Sequence, residues 1–182
     1  MPRPTKPEID AEIIDRAAAL FARHGFANTS LQQIADAVNY SKAGLLHHYP
    51  SKKAIYDAAL KIGLGQTQTL LASVKGIPVG IERDRAVVEA SVDLTFDWPG
   101  LSAFANQLVN TEQDVDPELT EMGLMMYAAL GIDLKSVKLE RIVRVTSAFS
   151  GLGATAMLAA RMGLKREWRG DIVACAMNAL GH

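Results

Sequence analysis

The segment NTSLQQIADAVNYSKAGLLHHYPSKK, residues 28–53, decides how this chain is expected to fold. Ser30 followed by Gln33 has the spacing of a capping box, which predicts that a short helix begins at this point. Asn39 tolerates the left-handed backbone conformation that a tight turn requires. Ser41 is suited to cap a second short helix, which the following proline ends. Two short helices joined by such a turn form a helix-turn-helix.

The second short helix, predicted over 41–49, has a surface suited to nucleic acid. Leu45 and Tyr49 face inward at a spacing of four residues. Small residues at positions 43 and 44 let the helix backbone approach another surface closely. The outward and lateral positions are Lys42, Ala43, Gly44, Leu46, His47 and His48. Their donors and compact shape suit a helix laid in the major groove of DNA with its edges on phosphates.

Helical patterns continue along the rest of the chain, and no stretch alternates with period two for long enough to predict a strand. Residues 1–7 carry three prolines and are predicted to be a disordered arm. The pattern therefore indicates an all-α protein. The further helices are expected at about 8–24, 51–74, 81–97, 101–111, 117–130, 136–162 and 167–180.

Composition is that of a soluble globular protein, with 49% hydrophobic and 21% charged residues. A net charge of −1 hides an asymmetry, because residues 1–55 hold seven basic and five acidic side chains. Cys175 is the only cysteine, so no intramolecular disulfide forms and a reducing, cytoplasmic compartment is expected. The uncharged run between Arg144 and Arg161 is too short to predict a membrane span.

Residues 8–60 resemble the DNA-binding domain of the TetR family of transcriptional regulators. The matching segments are AAALFARHGFANTSLQQIADAV, residues 17–38, and YSKAGLLHHYPSKKAIY, residues 40–56. The resemblance implies a helix-turn-helix domain over 1–55 and a helical effector-binding and dimerisation domain over 56–182. Two positions depart from the family's usual residues: Gly44, where Thr is common, and Leu46, where Tyr is common.

The resemblance also implies roles for individual residues. Lys52 matches a phosphate contact, and Leu46 is expected to meet a thymine methyl group instead of the backbone. The full set of expected DNA contacts is Thr29, Gln32, Ser41, Lys42, Ala43, Gly44, Leu46, His47, His48 and Lys52.

Two further sets are expected in the C-terminal part. Methionine and aromatic side chains form either ordinary core or a malleable pocket for an apolar or aromatic effector: Phe96, Trp98, Phe104, Met122, Met125 and Met126. The resemblance further implies that the last two helices pair with their copies in a homodimer. The expected interface residues are Ala148, Phe149, Leu152, Thr155, Ala159, Trp168, Ile172 and Ala176.

The function expected is that of a homodimeric repressor that an effector releases from a palindromic double-stranded DNA operator, without metal or cofactor. His47 and His48 point about 100° apart on a helix, which disfavours a shared metal ion. Glu89, Asp93 and Asp97 form either a solvated acidic face or the wall of a site for a cation. An all-α enzyme or carrier is the alternative, against which stands the lack of any nucleophile–base pair or phosphate loop. A DNA-binding activator or an architectural binder without effector is not separated from a repressor by sequence.

Overall fold

The computed structural model describes residues 5–106 and 117–182, and every regular element within these ranges is an α-helix. This confirms the all-α expectation. The helices are α1 (Lys6–Asn28), α2 (Leu31–Ala37), α3 (Lys42–His48), α4 (Lys52–Val74), α5 (Ile81–Asp97), α6 (Pro99–Ala105), α7 (Pro117–Ala129), α8 (Leu139–Met162) and α9 (Lys165–Leu180).

A first hydrophobic core joins α1, α2, α3 and the beginning of α4. It fixes the helix-turn-helix as a rigid unit, because each of these helices places apolar side chains in it. The core residues without any exposed surface are Ile13, Ala17, Ala18, Phe21, Ile34, Ala35, Leu45, Ile55 and Ala59.

A second core lies between the end of α4 and helices α5, α7, α8 and α9. Helix α4 is continuous between the two cores: Ile55 and Ala59 lie in the first, and Leu70 and Val74 in the second. A domain boundary at residue 55 stays a prediction. The first core also includes Leu101, Phe104, Leu119 and Met122 from α6 and α7.

Several helix ends differ from those predicted. Helix α1 begins at Lys6 because the backbone N–H and the hydroxyl of Thr5 both donate to the Glu8 carboxylate at 2.7 Å. Lys6 and Pro7 therefore do not belong to a disordered arm, and residues 1–4 lie outside the described residues. Gly25 adopts a non-helical conformation at φ 76°, so the first straight stretch of α1 ends at residue 24 as predicted, and a kinked continuation, which was not predicted, runs to Asn28.

Later ends also shift. Helix α6 begins at Pro99 and ends at Ala105, and the predicted extension over 107–111 lies outside the described residues. Helix α8 begins at Leu139 instead of residue 136, and α9 at Lys165 instead of residue 167.

A buried ionic cluster closes the end of the second core. The side chain of Asp84 is only 2% exposed, and both of its oxygens accept hydrogen bonds from Arg141 Nη2, at 2.7 and 2.6 Å. His182 Nε2 lies 2.8 Å from Asp84 Oδ2. The cluster joins α5, α8 and His182, two residues beyond the end of α9, and it satisfies a carboxylate that burial alone would destabilise.

Candidate nucleic-acid interface and interior cavity

The geometry of the helix-turn-helix follows from its capping residues. Ser30 Oγ accepts from Gln33 N at 3.2 Å, and Ser30 N donates to Gln33 Oε1 at 2.7 Å, which confirms the capping box. Asn39 takes a left-handed conformation at φ 57°. Ser41 Oγ accepts from Gly44 N at 3.0 Å and caps α3. These local bonds set the angle at which α3 leaves α2.

Helix α3 buries Leu45 completely and turns its opposite side outward. Leu46 retains 39% exposure, although its neighbour is fully buried. The exposed members of the predicted contact set are Gln32, Ser41, Lys42, Ala43, Leu46 and His47. They combine a cation, donors and apolar surface on one side of the unit. Gly44 is half-buried, and a side chain there would lie 3.2 Å from Ser41 Oγ.

Two predicted contacts are corrected, because their side chains bond within the chain. Thr29 is 1% exposed, and its hydroxyl donates to the Gly25 carbonyl at 2.8 Å. Lys52 Nζ donates to the carbonyl oxygens of Phe26 at 2.5 Å and of Thr29 at 2.6 Å, and it lies 4.3 Å from the centre of the Phe26 ring. Lys52 therefore satisfies the open carbonyl end of α1 and is not free for a phosphate.

His48 ties the recognition helix α3 to α1, a role that sequence reasoning missed. Its Nδ1 lies 2.8 Å from Asp10 Oδ1, and its ring packs edge-on against Tyr40 with centroids 5.6 Å apart. The side chain is half-buried. A DNA contact by His48 stays a prediction, and it would have to use the other ring nitrogen.

An interior cavity of about 100 Å³, partly open to solvent, lies between α4, α5, α6, α7 and α8. Its wall is largely apolar, with uncharged polar groups at intervals. The lining residues are Gly63, Gln66, Thr67, Ser91, Leu94, Thr95, Leu101, Ser102, Ala105, Asn106, Met122, Met126, Phe149, Leu152 and Gly153.

Three hydroxyl groups in this wall donate their hydrogen to a backbone carbonyl within their own helix. Thr67 donates to the Gly63 carbonyl at 2.9 Å, Ser91 to the Val87 carbonyl at 2.7 Å, and Thr95 to the Ser91 carbonyl at 2.9 Å. Each oxygen keeps acceptor capacity only. The sequence signal for them was available, since Ser91 and Thr95 interrupt an apolar helical face at a spacing of four residues.

The predicted effector residues divide between different places. Met122 and Met126 line the cavity, whereas Phe96, Trp98, Phe104 and Met125 do not, so the six residues do not share one site and an effector contact by these four stays a prediction. Phe104 instead packs against the ring of Tyr56, at 5.3 Å between centroids. Phe96 and Trp98 line a separate groove of about 580 Å³ between α1, the α5–α6 junction and the ends of α8 and α9.

Helix α6 joins the cavity to α1. One Asp15 oxygen accepts from the backbone N–H groups of Gly100 at 2.8 Å and Leu101 at 3.0 Å, where α6 begins. A Cβ on Gly100 would lie 1.8 Å from the Asp15 carbonyl oxygen, so only glycine permits this approach. Burial raises the pKa of the Asp15 carboxyl above its ordinary value, against the two N–H groups, which lower it.

The helix-turn-helix is similar in sequence to known proteins. Residues 13–59 match the family described as bacterial regulatory proteins, tetR family. The match covers the helix-turn-helix, about a quarter of the chain, and these residues are called the TetR-family domain below. A stretch of 50 residues is 46% identical to the biofilm operon icaADBC HTH-type negative transcriptional regulator IcaR of Staphylococcus aureus strain Newman, covering 28% of this chain and 27% of that protein.

A longer match extends beyond the TetR-family domain. Over 86 residues the chain is 33% identical to the HTH-type transcriptional repressor KstR2 of Rhodococcus jostii RHA1, covering 47% of this chain and 41% of that protein. The matches thus span about a quarter and two fifths of these relatives. The fold is similar throughout to the TetR family transcriptional regulator PfmR of Thermus thermophilus, with a TM-score of 0.57, 19% identity, and 98% and 97% of the two chains covered.

Behind the TetR-family domain, α8 and α9 pack against each other and against α5, which corrects the predicted dimer face. Ala148, Leu152, Ala159, Ile172 and Ala176 are at most 5% exposed within one chain, so they are core residues. Phe149 lines the cavity, Trp168 packs partly buried against the core, and Thr155 alone of the set is exposed. The outer sides of the two helices instead carry Ser147, Ser150, Gly151, Ala154, Thr155, Leu158 and Met162, with Gly170, Asp171, Ala174, Cys175 and Asn178.

Helix α8 has the length and hydropathy of a membrane span, with a mean hydropathy of 1.3 over its most apolar window, a third of which is buried. Its inner side packs in the second core, as in the core helix of a soluble protein. Among the described residues, no three His, Cys, Asp or Glu side chains are grouped to hold a metal ion. Asp93 is one of the three acidic residues considered as a solvated face or as the wall of a cation site. Both of its carboxylate oxygens accept hydrogen bonds from Arg169 at 2.7 Å, as expected of a surface face.

Proposed function

We propose that this protein is a homodimeric, cytoplasmic transcriptional repressor that binds a palindromic DNA operator and is released by a small effector. One observation carries the DNA-binding part: a rigid three-helix core presents Lys42, Ala43, Leu46 and His47 together on exposed α3. The names of the similar proteins IcaR and KstR2 support the sign of regulation, since both are described as negative regulators or repressors.

Lys42 and His47 supply the polar contacts in this proposal. Lys42 is exposed at the first position of α3, where it reaches a phosphate without competing for a partner in the chain. Ala43 and Leu46 lie beside it and offer apolar contact to thymine methyl groups. Gln32 on α2 donates to Asp36 at 2.7 Å, which holds its side chain at the edge of the same surface.

A homodimer is proposed through the outer sides of α8 and α9. Their exposed residues are mostly small, and a Cβ added at Gly151 or Gly170 would meet nothing within 4 Å, so another helix can approach closely. Leu158 and Met162 add apolar surface at 39% and 56% exposure. A two-fold dimer matches a palindromic operator whose half-sites lie about 34 Å apart.

The effector is proposed to occupy the interior cavity. Helices α4 and α6 both line it, and both also contact α1. A ligand that binds one arrangement of α4 and α6 more tightly than the other therefore shifts the position of α1, and with it that of α3. The difference between these two affinities sets how far the ligand lowers DNA affinity.

DNA selection tests the proposal. Purified protein is incubated with a random duplex library at about 150 mM salt, where the screening length is about 8 Å, and bound sequences are recovered. A palindromic motif is expected for the wild type and its loss for Lys42→Ala/His47→Ala. Lys75→Ala, an exposed lysine at the far end of α4, is the matched control. No enriched motif, or one that survives the double substitution, contradicts the DNA-binding assignment.

Analytical ultracentrifugation tests the dimer. Leu158→Asp places a charge on the proposed interface and is expected to give a monomer, since an unpaired buried charge opposes association. Leu134→Asp, an equally apolar residue with 48% exposure in the loop before α8, is the control. A dimer that persists in Leu158→Asp contradicts this choice of face.

A further inference from the structure

The interior cavity restricts the chemistry of what enters it. Among the described residues that line it, none carries a charge. A carboxylate, phosphate or ammonium bound there would lose water without gaining an ion partner, and an unpaired buried charge is strongly unfavourable. The described part of the wall therefore favours an uncharged molecule.

The volume sets the size of that molecule. A cavity of about 100 Å³ compares with the engineered apolar cavity of about 150 Å³ that binds benzene in another protein. Met122 and Met126 border the space, and their flexible thioether chains adapt to a ring that is slightly larger than the empty volume. Phe149 supplies an aromatic surface.

The polar groups set the functional group that it carries. Thr67 on α4 and Ser91 and Thr95 on α5 donate their protons to backbone carbonyls, so these three hydroxyl oxygens can only accept. They are best matched by a ligand group that donates. The amides of Gln66 and Asn106 supply both donors and an acceptor elsewhere in the lining, so they accommodate a hydroxyl or an N–H group equally.

We infer that the cavity binds an uncharged molecule of about one aromatic or alicyclic ring that bears a hydroxyl or N–H donor, held by the acceptor oxygens of Thr67, Ser91 and Thr95. This inference rests on the proposed function, in which the same cavity is the effector site. It narrows the effector from any apolar compound to a neutral hydrogen-bond donor.

The test uses four one-ring probes and the full-length protein at pH 7. Phenol is neutral and donates, anisole is the same ring with the donor methylated, toluene is apolar, and benzoate is charged. Methionine methyl groups labelled with ¹³C report occupancy by NMR, with Met122 and Met126 in the cavity and Met157 on α8 outside its lining. Phenol is expected to shift the two cavity methyl signals at the lowest concentration, and benzoate to leave them unchanged.

Substitutions locate the donor's partner. Thr67→Val, Ser91→Ala and Thr95→Val each remove one acceptor oxygen, and each is expected to weaken phenol binding by about 2- to 12-fold, the equivalent of one net hydrogen bond. Toluene binding is expected to stay the same. Thr69→Val is the matched control, because Thr69 lies on the same helix and also donates to a carbonyl four residues earlier, but is exposed.

A size variant separates volume from chemistry. A Cβ on Gly63 would lie 2.9 Å from Met122 Sδ, so Gly63→Ala pushes this flexible side chain toward the cavity and keeps all three hydroxyls. It is expected to weaken phenol and toluene alike.

The inference is overturned if anisole or toluene binds as tightly as phenol, if benzoate shifts the cavity signals, if the three hydroxyl variants bind phenol like the control, or if no probe binds. DNA selection is scored separately. A recovered operator with failed phenol binding overturns only the ligand class, whereas phenol binding without any operator overturns the proposed function and leaves the cavity chemistry standing.

Discussion

Alanine at position 100 is expected to separate α6 from α1. A Cβ there would lie 1.8 Å from the Asp15 carbonyl oxygen, where an ordinary contact needs at least 3.4 Å, and a backbone atom cannot rotate aside. The bonds from Gly100 N and Leu101 N to the Asp15 carboxylate, at 2.8 and 3.0 Å, lengthen with the same movement. Overpacking costs about 1–3 kcal/mol, and lost hydrogen bonds to a charged group about 1.5–3 kcal/mol. With up to about 1 kcal/mol recovered from helix propensity, the net loss is about 1.5–6 kcal/mol.

Urea unfolding at one fixed protein concentration measures this loss, since the stability of the proposed dimer would depend on concentration. Gly65→Ala is the control: it lies within α4, and its Cβ would meet nothing within 4 Å. The control is expected to gain about 0.5–1 kcal/mol. A Gly100→Ala protein within about 0.5 kcal/mol of wild type, the range of neutral surface changes, would refute the close approach of α6 to α1.

Other perturbations test the contacts that hold this arrangement. Burial raises the pKa of Asp15 above its ordinary value of 3.8, so its contribution to the free energy of unfolding is present below pH 3.8 and is lost as pH rises through the raised pKa. In urea unfolding, the stability of Asp15→Asn relative to wild type should therefore increase as pH rises through that window. A relative stability that falls as pH rises contradicts this. Arg141→Met leaves the buried Asp84 carboxylate without its cation and should destabilise by about 3–5 kcal/mol in the same assay, most of which a second Asp84→Asn change should restore. Lys52→Met should lower the free energy of unfolding but leave the salt dependence of DNA binding unchanged. Lys42→Ala should lower the steepness with which the logarithm of the DNA-binding constant falls with the logarithm of salt concentration by about 1. Equal slopes for both variants would contradict the assignment of Lys52 to α1.

The helix-turn-helix could be predicted because its signals are local. The capping pair Ser30 and Gln33, the turn at Asn39 and the cap at Ser41 each act within four residues, so the sequence alone contains both partners of each bond. The alternation of buried Leu45 with exposed neighbours follows from helical periodicity. Nothing distant was needed to place these elements.

The faces of α8 could not be predicted in the same way. Gly151, Ala154, Ala156 and Ala159 surround the helix with small residues, and in its middle only the uncharged Ser147, Ser150 and Thr155 mark its outer side. Contact with α5 and α9 decides which side is buried, and those contacts join residues far apart in the sequence. The residues predicted for the interface therefore lie mostly on the inner, buried side of α8 and α9, and a dimer through these two helices stays a prediction.

Lys52 and Thr29 illustrate the other limit. A lysine at the start of a helix in a basic segment is expected to meet an anion, and only the folded chain brings the carbonyl end of α1 within 2.6 Å of its Nζ. Thr29 is likewise withdrawn from the surface by the kink at Gly25. The sequence predicted DNA as the partner of each side chain, whereas in the folded chain each donates to backbone carbonyls.

Under the proposed function, the contacts that hold α1 determine how a bound ligand changes DNA affinity. Helix α1 is held at its middle by α6, through Asp15, and at its end by Lys52 of α4. Both α4 and α6 line the cavity. Under the proposed function, a ring that changes the distance between α4 and α6 is therefore expected to move the straight part of α1 before the kink at Gly25, because α6 holds this part through Asp15 and α4 packs against α1. His48, bonded to Asp10, carries that movement to α3. Asp10→Ala should then weaken the effect of a ligand on DNA affinity while leaving ligand affinity in the absence of DNA unchanged, and a variant that keeps the full effect would show that α3 follows α1 through the apolar core alone.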